Sequence, residues 1–135
     1  MTGLCVLLAV LGLTAALAVV HRRSDGRIRV RDGREDLRPL LSASGETATL
    51  LQFSSAFCAP CRATKRVLGD IAAVVPGVAH VEVDAESQLD LVRRLGILKT
   101  PTTLVLDAGG REVLRASGQP RKADVLAALA QAVAS

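Results

Sequence analysis

Gln52-Phe53-Ser54-Ser55-Ala56-Phe57-Cys58-Ala59-Pro60-Cys61-Arg62-Ala63-Thr64-Lys65 joins an apolar run, Thr49 to Phe53, to a run with helical spacing, Arg62 to Val75. The join carries two cysteines separated by two residues. That spacing sets both sulfurs on one short turn, close enough to bond to each other or to stand as two thiols. The first sulfur falls at a helix N-terminus, where unpaired N–H groups and the helix dipole favour an anion. A thiol in such a place has its pKa lowered from about 8.5 to between roughly 3.5 and 7.5. The thiolate is the nucleophile, so Cys58 is expected to react near neutral pH. Pro60 fits the first helical turn, where its missing N–H costs nothing.

The same spacing serves other purposes. A static structural disulfide satisfies it. A zinc site would need a second pair of ligands, and only Cys5, His21 and His80 remain, with Cys5 inside an apolar run. A c-type haem site needs His directly after the second Cys, and residue 62 is Arg. The strand-then-helix setting favours a redox-active dithiol, which calls for no metal and no cofactor.

The 135 residues are enough for one domain with a real core. Half of them are apolar, yet Trp and Tyr are missing and the aromatics are Phe53 and Phe57 alone. Leu, Val, Ile and Ala must therefore build the core. Base-stacking platforms for single-stranded nucleic acid are lacking. Of the net charge of +4, residues 21 to 38 hold +3, from seven Arg against four acids. The globular part is nearly neutral, and no nucleic-acid partner is expected.

Leu4 to Val20 runs without a charge, softened only by Gly12 and Thr14. At about 1.5 Å per residue this is the short end of a membrane span. A buried core helix is seldom apolar on every face. A cleaved signal peptide wants a basic start and a small-residue exit, whereas this run starts Met1-Thr2-Gly3 and exits Val19-Val20-His21-Arg22-Arg23. A retained single-pass anchor is expected over 1–21, contacting lipid through residues 4–20. Cys5 then sits in the bilayer as a small apolar residue, with lipidation as the alternative. Arg22, Arg23, Arg27, Arg29 and Arg31 follow the apolar end. By the positive-inside rule they put the C-terminal side in the cytoplasm, and they suit anionic headgroups. Read more plainly, they stop transfer and form a solvated linker.

Residues 22–36 read as a basic juxtamembrane linker, with Arg27 to Arg31 as a candidate edge strand. A globular domain is expected over 37–135. Glu35 to Leu41 suggests a short helix, which Pro39 weakens unless the helix begins near it. Ala48 to Phe53 is nearly all apolar, as in a strand buried on both faces. Val67, Leu68, Ile71, Ala72 and Val75 recur at helical spacing, and Pro76-Gly77 ends that helix. Val78 to Val83 alternates as a strand. Ser87 to Leu95 is a short amphipathic helix with Gly96 as its stop. Pro101 to Leu106 is a strand, and Ala108-Gly109-Gly110 turns it into Glu112 to Ser117 as a hairpin. Arg121 to Ala134 is a final helix with Val125, Leu126, Leu129 and Val133 on one face. This order predicts an α/β domain, a mixed sheet covered by helices on both faces.

From about Leu37 to Val133 the chain resembles thioredoxin. The resemblance rests on Phe53 to Cys61, on Val81-Glu82-Val83-Asp84, on Gly96-Ile97 followed by Thr100-Pro101-Thr102, and on Gly118 after the hairpin. A lone Cys-x-x-Cys is weak. The same pair followed some forty residues later by a strand-opening Thr-Pro-Thr, in the right element order, is specific. The resemblance implies a thioredoxin-like mixed sheet flanked by helices and thiol–disulfide exchange with protein substrates, recharged by an electron-donor reductase or a membrane redox partner. It makes Cys58 the attacking cysteine and Cys61 the resolving one, joined as a disulfide when oxidised. It makes Pro101 a cis-proline facing the pair, and gives Thr100 a backbone that pairs with bound substrate. Phe57 and Pro60 join the substrate-binding rim.

Three positions depart from the family. Phe57 stands where Trp is usual, Gln52 where a buried Asp is usual, and His80 where that Asp's partner Lys is usual. Gln takes no proton, but His does near neutral pH. His80 and Gln52 are therefore candidates for proton transfer at Cys61, against a plain hydrogen-bonded strand histidine. Ala59-Pro60 is close to thioredoxin's Gly-Pro and points to a reductant. Arg62 and Lys65 either stabilise the thiolate or are solvated. The rival functions are an extracytoplasmic anchored exchange protein, serving secreted proteins or cytochrome c maturation, and a non-enzymatic membrane-tethered docking module.

Overall fold

The computed structural model describes residues 1–135. Helix α1 spans Thr2–Ser24, 23 residues with none buried. At 1.5 Å per residue it is about 35 Å long, and it is the one helix long and apolar enough to cross a membrane. It runs past the expected anchor end at residue 21, through Arg22 and Arg23 to Ser24. Cations in the last turn suit the negative end of the helix dipole.

The rest is a five-stranded mixed sheet with helices on both faces. Its strands are β1 (Ile28–Val30), β2 (Ala48–Ser54), β3 (Val78–Asp84), β4 (Thr102–Leu106) and β5 (Glu112–Ser117). Their order across the sheet is β1-β5-β4-β2-β3. Only β2 and β3 are parallel, joined by helix α2 (Ala59–Val74); the other neighbours pair antiparallel. Residues 22–36 thus supply the end of α1 and the edge strand β1, whose Ile28 faces Ala116.

Side chains alternate across each strand, so the two faces have separate cores. On one face Ala48, Leu50 and Val105 meet Leu68 and Ile71 of α2. Val125, Ala128 and Leu129 of helix α4 (Lys122–Val133) complete that core. On the other face Leu51, Phe53, Val81, Leu104 and Leu106 pack with Leu37 and Ile97. Helix α3 (Leu89–Leu95) covers them through Leu91, Val92 and Leu95. Its C-cap Gly96 has φ 63°, a conformation that glycine adopts without strain.

One expected element is shorter than its pattern suggests. Glu35 to Leu41 is not an α-helix; only Arg38–Leu40 forms a single 3-10 turn. Pro39 sits at its start, and the Asp36 carboxylate accepts from the Arg38 N–H at 2.9 Å. Glu35 is drawn off into an ion pair with Arg94. Other boundaries move by a few residues: α2 begins at Ala59 rather than Arg62, and α3 at Leu89 rather than Ser87.

Candidate functional site

Cys58 is the N-cap of α2, with Pro60 in the first turn behind it. Its Sγ accepts from the Cys61 N–H at 3.2 Å, so the sulfur meets one of the helix's free N–H donors. Cys58 and Cys61 are joined as a disulfide, with Cα atoms 5.2 Å apart. The two sulfurs differ in access: Cys58 is half-buried and Cys61 only 3% exposed. One turn of helix does this, because position 61 opens the buried stripe Cys61, Thr64, Leu68, Ile71.

Phe57, just before the pair, has φ 56° and is fully exposed. That backbone region is disfavoured for a bulky side chain, at on the order of 1–3 kcal/mol. Strain held at this residue aims Cys58 into the helix cap and turns the ring outward. Leu98 is 96% exposed, and it lies two residues before Thr100. The Thr100–Pro101 peptide bond is cis. Ser55 Oγ and Thr100 Oγ1 are 2.8 Å apart, which ties the β2–α2 loop to the proline loop. The register of β2 on β4, Phe53 opposite Thr102, brings the two loops to the same end of the sheet.

Behind the disulfide lies a buried polar cluster. Gln52 is fully buried. Its Nε2 donates to the Cys61 carbonyl at 2.9 Å and to Ser54 Oγ at 2.9 Å. Both amide hydrogens are thereby used, so Gln52 Oε1 is an acceptor. His80 Nε2 is 3.0 Å from that oxygen, which fixes the neutral imidazole with its hydrogen on Nε2 and a lone pair on Nδ1. Burial pushes the His80 pKa below 6.5, as does Lys65, while Glu82 pulls it up. Burial is the larger cause, and the ring is neutral at pH 7. The expected juxtaposition of His80, Gln52 and Cys61 is thus present, but it reaches the Cys61 carbonyl rather than its sulfur.

Lys65 forms an ion pair with Glu82 at 3.1 Å, and Ser54 Oγ donates to the other Glu82 oxygen at 3.3 Å. Arg62 is exposed. Sequence reasoning missed Ser54, Ser55, Thr64 and Thr103. Thr64 was discoverable, since it lies three residues after Cys61 on one helix face. Thr103 was not: only pairing with β4 sets it opposite Gln52. Both threonine hydroxyls are buried without a hydrogen-bond partner. No cluster of three His, Cys, Asp or Glu side chains is placed to hold a metal ion.

A family model for the thioredoxin-like domain matches residues 40–133. Mouse thioredoxin domain-containing protein 2 is 32% identical over 92 residues, covering 68% of this chain and 17% of that protein. The human protein of the same name is 29% identical over 76 residues, covering 56% of this chain and 14% of its own length. The chain thus spans about a sixth of the length of these relatives. Spinach chloroplast thioredoxin f superposes with a TM-score of 0.60 at 22% identity, over 75% of this chain and 89% of that one. The chain belongs to the thioredoxin family. Its fold, and a cysteine pair joined at the N-terminus of α2, support thiol–disulfide oxidoreductase chemistry in general.

Proposed function

We propose that this chain is a membrane-tethered thiol–disulfide oxidoreductase that reduces protein disulfides through Cys58 and Cys61. The observation that carries this reading is the unequal access of two joined sulfurs at one helix cap. In the reduced form, the Cys58 thiolate attacks one sulfur of a substrate disulfide. A Cys58–substrate bond forms, and the substrate's other sulfur leaves as a thiolate. Cys61, deprotonated, then attacks Cys58, and the second substrate sulfur leaves. Two electrons pass to the substrate, and the pair ends as the Cys58–Cys61 disulfide. A dithiol-bearing donor restores it by the same steps in reverse.

Phe57, Pro60, Thr100 and Pro101 form the substrate rim. His80 is the base for the Cys61 proton, which reaches its free Nδ1 through solvent, because Gln52 occupies Nε2–H and bonds the Cys61 carbonyl rather than the sulfur; an amide passes no proton itself. Helix α1 is the anchor, and the arginines after it favour a domain on the cytoplasmic side.

The test is reduction of insulin by the full chain, with dithiothreitol as donor. Cys58→Ser is expected to fall to background. Cys61→Ser is expected to accumulate an unresolved mixed disulfide. Equal rates for Cys58→Ser and the unmodified chain, both at the dithiothreitol background, would leave only a docking module. Labelling of Cys58 on intact cells by a membrane-impermeant maleimide reads the topology, and protection is the expected result.

A further inference from the structure

The end of α1 is stitched to the redox face. The Asp25 carboxylate forms an ion pair with Lys99, the residue before Thr100. Gly26 N–H donates to the Ser117 carbonyl at 2.7 Å, and Gly118 N–H donates to the Pro101 carbonyl at 2.7 Å. Ser117 and Gly118 are neighbours, so two backbone hydrogen bonds separate the anchor's end from Pro101. A Cβ at Gly118, whose φ is 96°, would strike the Asp25 carboxylate, so glycine there permits the approach.

Sheet topology explains the placement. β1 runs antiparallel to β5, with Ile28 opposite Ala116, so β1 begins where β5 ends. β5 ends where β4 begins, Ser117 opposite Thr102. β4 begins where β2 ends, and α2 with its cysteines follows there. Only residues 25–27 separate α1 from β1, a reach of about 10 Å even when extended. The opposite end of the sheet lies about 20 Å away, the length of a strand like β2.

That end carries charges and apolar groups suited to an interface. A cleft there is lined by Arg22, Arg23, Arg27, Arg121 and Lys122, with Asp25 and Asp124 as the acids. Such a surplus of cations complements anionic headgroups. Phe57 and Leu98 stand fully exposed beside the dithiol and the proline loop, as apolar side chains do at the headgroup boundary.

We infer that the exchange partner is a cysteine pair at headgroup depth in a membrane-spanning protein of the same bilayer. This rests on the tethered dithiol proposed above. The step balances within the two proteins: the Cys58–Cys61 dithiol becomes a disulfide, the partner disulfide becomes two thiols, and two electrons and two protons pass across.

The full chain, reduced and reconstituted in phosphatidylcholine–phosphatidylglycerol vesicles, tests this by single-turnover exchange. One probe is a membrane-spanning peptide with a Cys-x-x-Cys disulfide at the headgroups. A second carries the same disulfide about 30 Å farther out on a helical stalk. Insulin serves as the soluble control. The headgroup disulfide is expected to react about tenfold faster than the stalk disulfide, because the short tether confines the dithiol near the surface. A twelve-residue Gly/Ser insertion between Ser24 and Asp25 is expected to shrink that ratio to about twofold or less, with insulin reduction unchanged. Equal rates at the two depths in the unmodified chain would overturn the inference alone. Failure to reduce insulin and both peptides would overturn the dithiol reading and this inference with it. Protein that does not float with the vesicles would overturn the tether, and this inference again.

Discussion

The two faces of the sheet are packed by different rules. Toward α3, the strands present Leu51, Phe53, Val81, Leu104 and Leu106, and the buried polar groups beside them, Thr49, Thr102 and the Arg115–Glu112 pair, are all hydrogen-bonded. Toward α2 and α4, the same strands change character along their length. Ala48, Leu50 and Val105 are apolar. At the end that bears the cysteines, Gln52, Thr103 and His80 take over, with Thr64 of α2 above them. A buried polar group costs stability unless it is hydrogen-bonded. Polar groups gather behind Cys61, two of them unpartnered hydroxyls; on the function proposed above, they surround a thiol that must lose a proton. The α3 face partners its buried polar groups, and the α2 face gives up some stability at two hydroxyls that it does not.

Three substitutions sharpen or break that contrast. On the α3 face, Leu104→Ala is expected to cost about 2–5 kcal/mol in urea unfolding, while the exchange rate of the folded protein stays put. A rate loss matching that of a polar-face variant would erase the distinction between the faces. On the α2 face, Gln52→Leu leaves the Cys61 carbonyl and the His80 N–H without their partner, at about 1–3 kcal/mol. Unlike Leu104→Ala, it is expected to slow resolution of the mixed disulfide and shift the reduction potential, both measurable against glutathione buffers.

The smallest effect is the most specific. The His80 pKa is lowered from 6.5 by burial, so between 6.5 and its folded value the unfolded chain binds a proton that the folded chain refuses. Stability at this group is complete above pH 6.5 and falls as pH drops toward the folded pKa. His80→Gln is expected to flatten that fall in unfolding measured from pH 8 to pH 5, and to move the acid limb of the resolution rate. An unchanged pH profile on both counts would reduce His80 to a plain strand histidine.

Much of this was legible in the residues. The run Ala48 to Phe53, the Cys-Ala-Pro-Cys turn and the stripe along α2 are local patterns, and local sterics and periodicity suffice to read them. The short helix expected over Glu35 to Leu41 contracts to one 3-10 turn, Arg38–Leu40, that begins beside Pro39. A few apolar positions cannot tell one turn from two when a proline sits among them. The buried bidentate pair of Arg115 and Glu112, at 2.6 and 2.8 Å, left no trace in the sequence. Three residues apart on a strand, those side chains would ordinarily point to opposite faces, but β5 slips register against β4 between Val105 and Leu106.

The sequence by itself determined which segments are strand, helix and apolar span, and that two sulfurs share one turn at a helix start. These depend on neighbours within a few residues. Tertiary structure alone decided that Gln52 bonds the Cys61 carbonyl rather than the sulfur, that Thr103 lies opposite Gln52, and that helix α1 leaves the domain beside Pro101. Those contacts depend on strand order and register, which the packing of the whole sheet sets and no local pattern encodes.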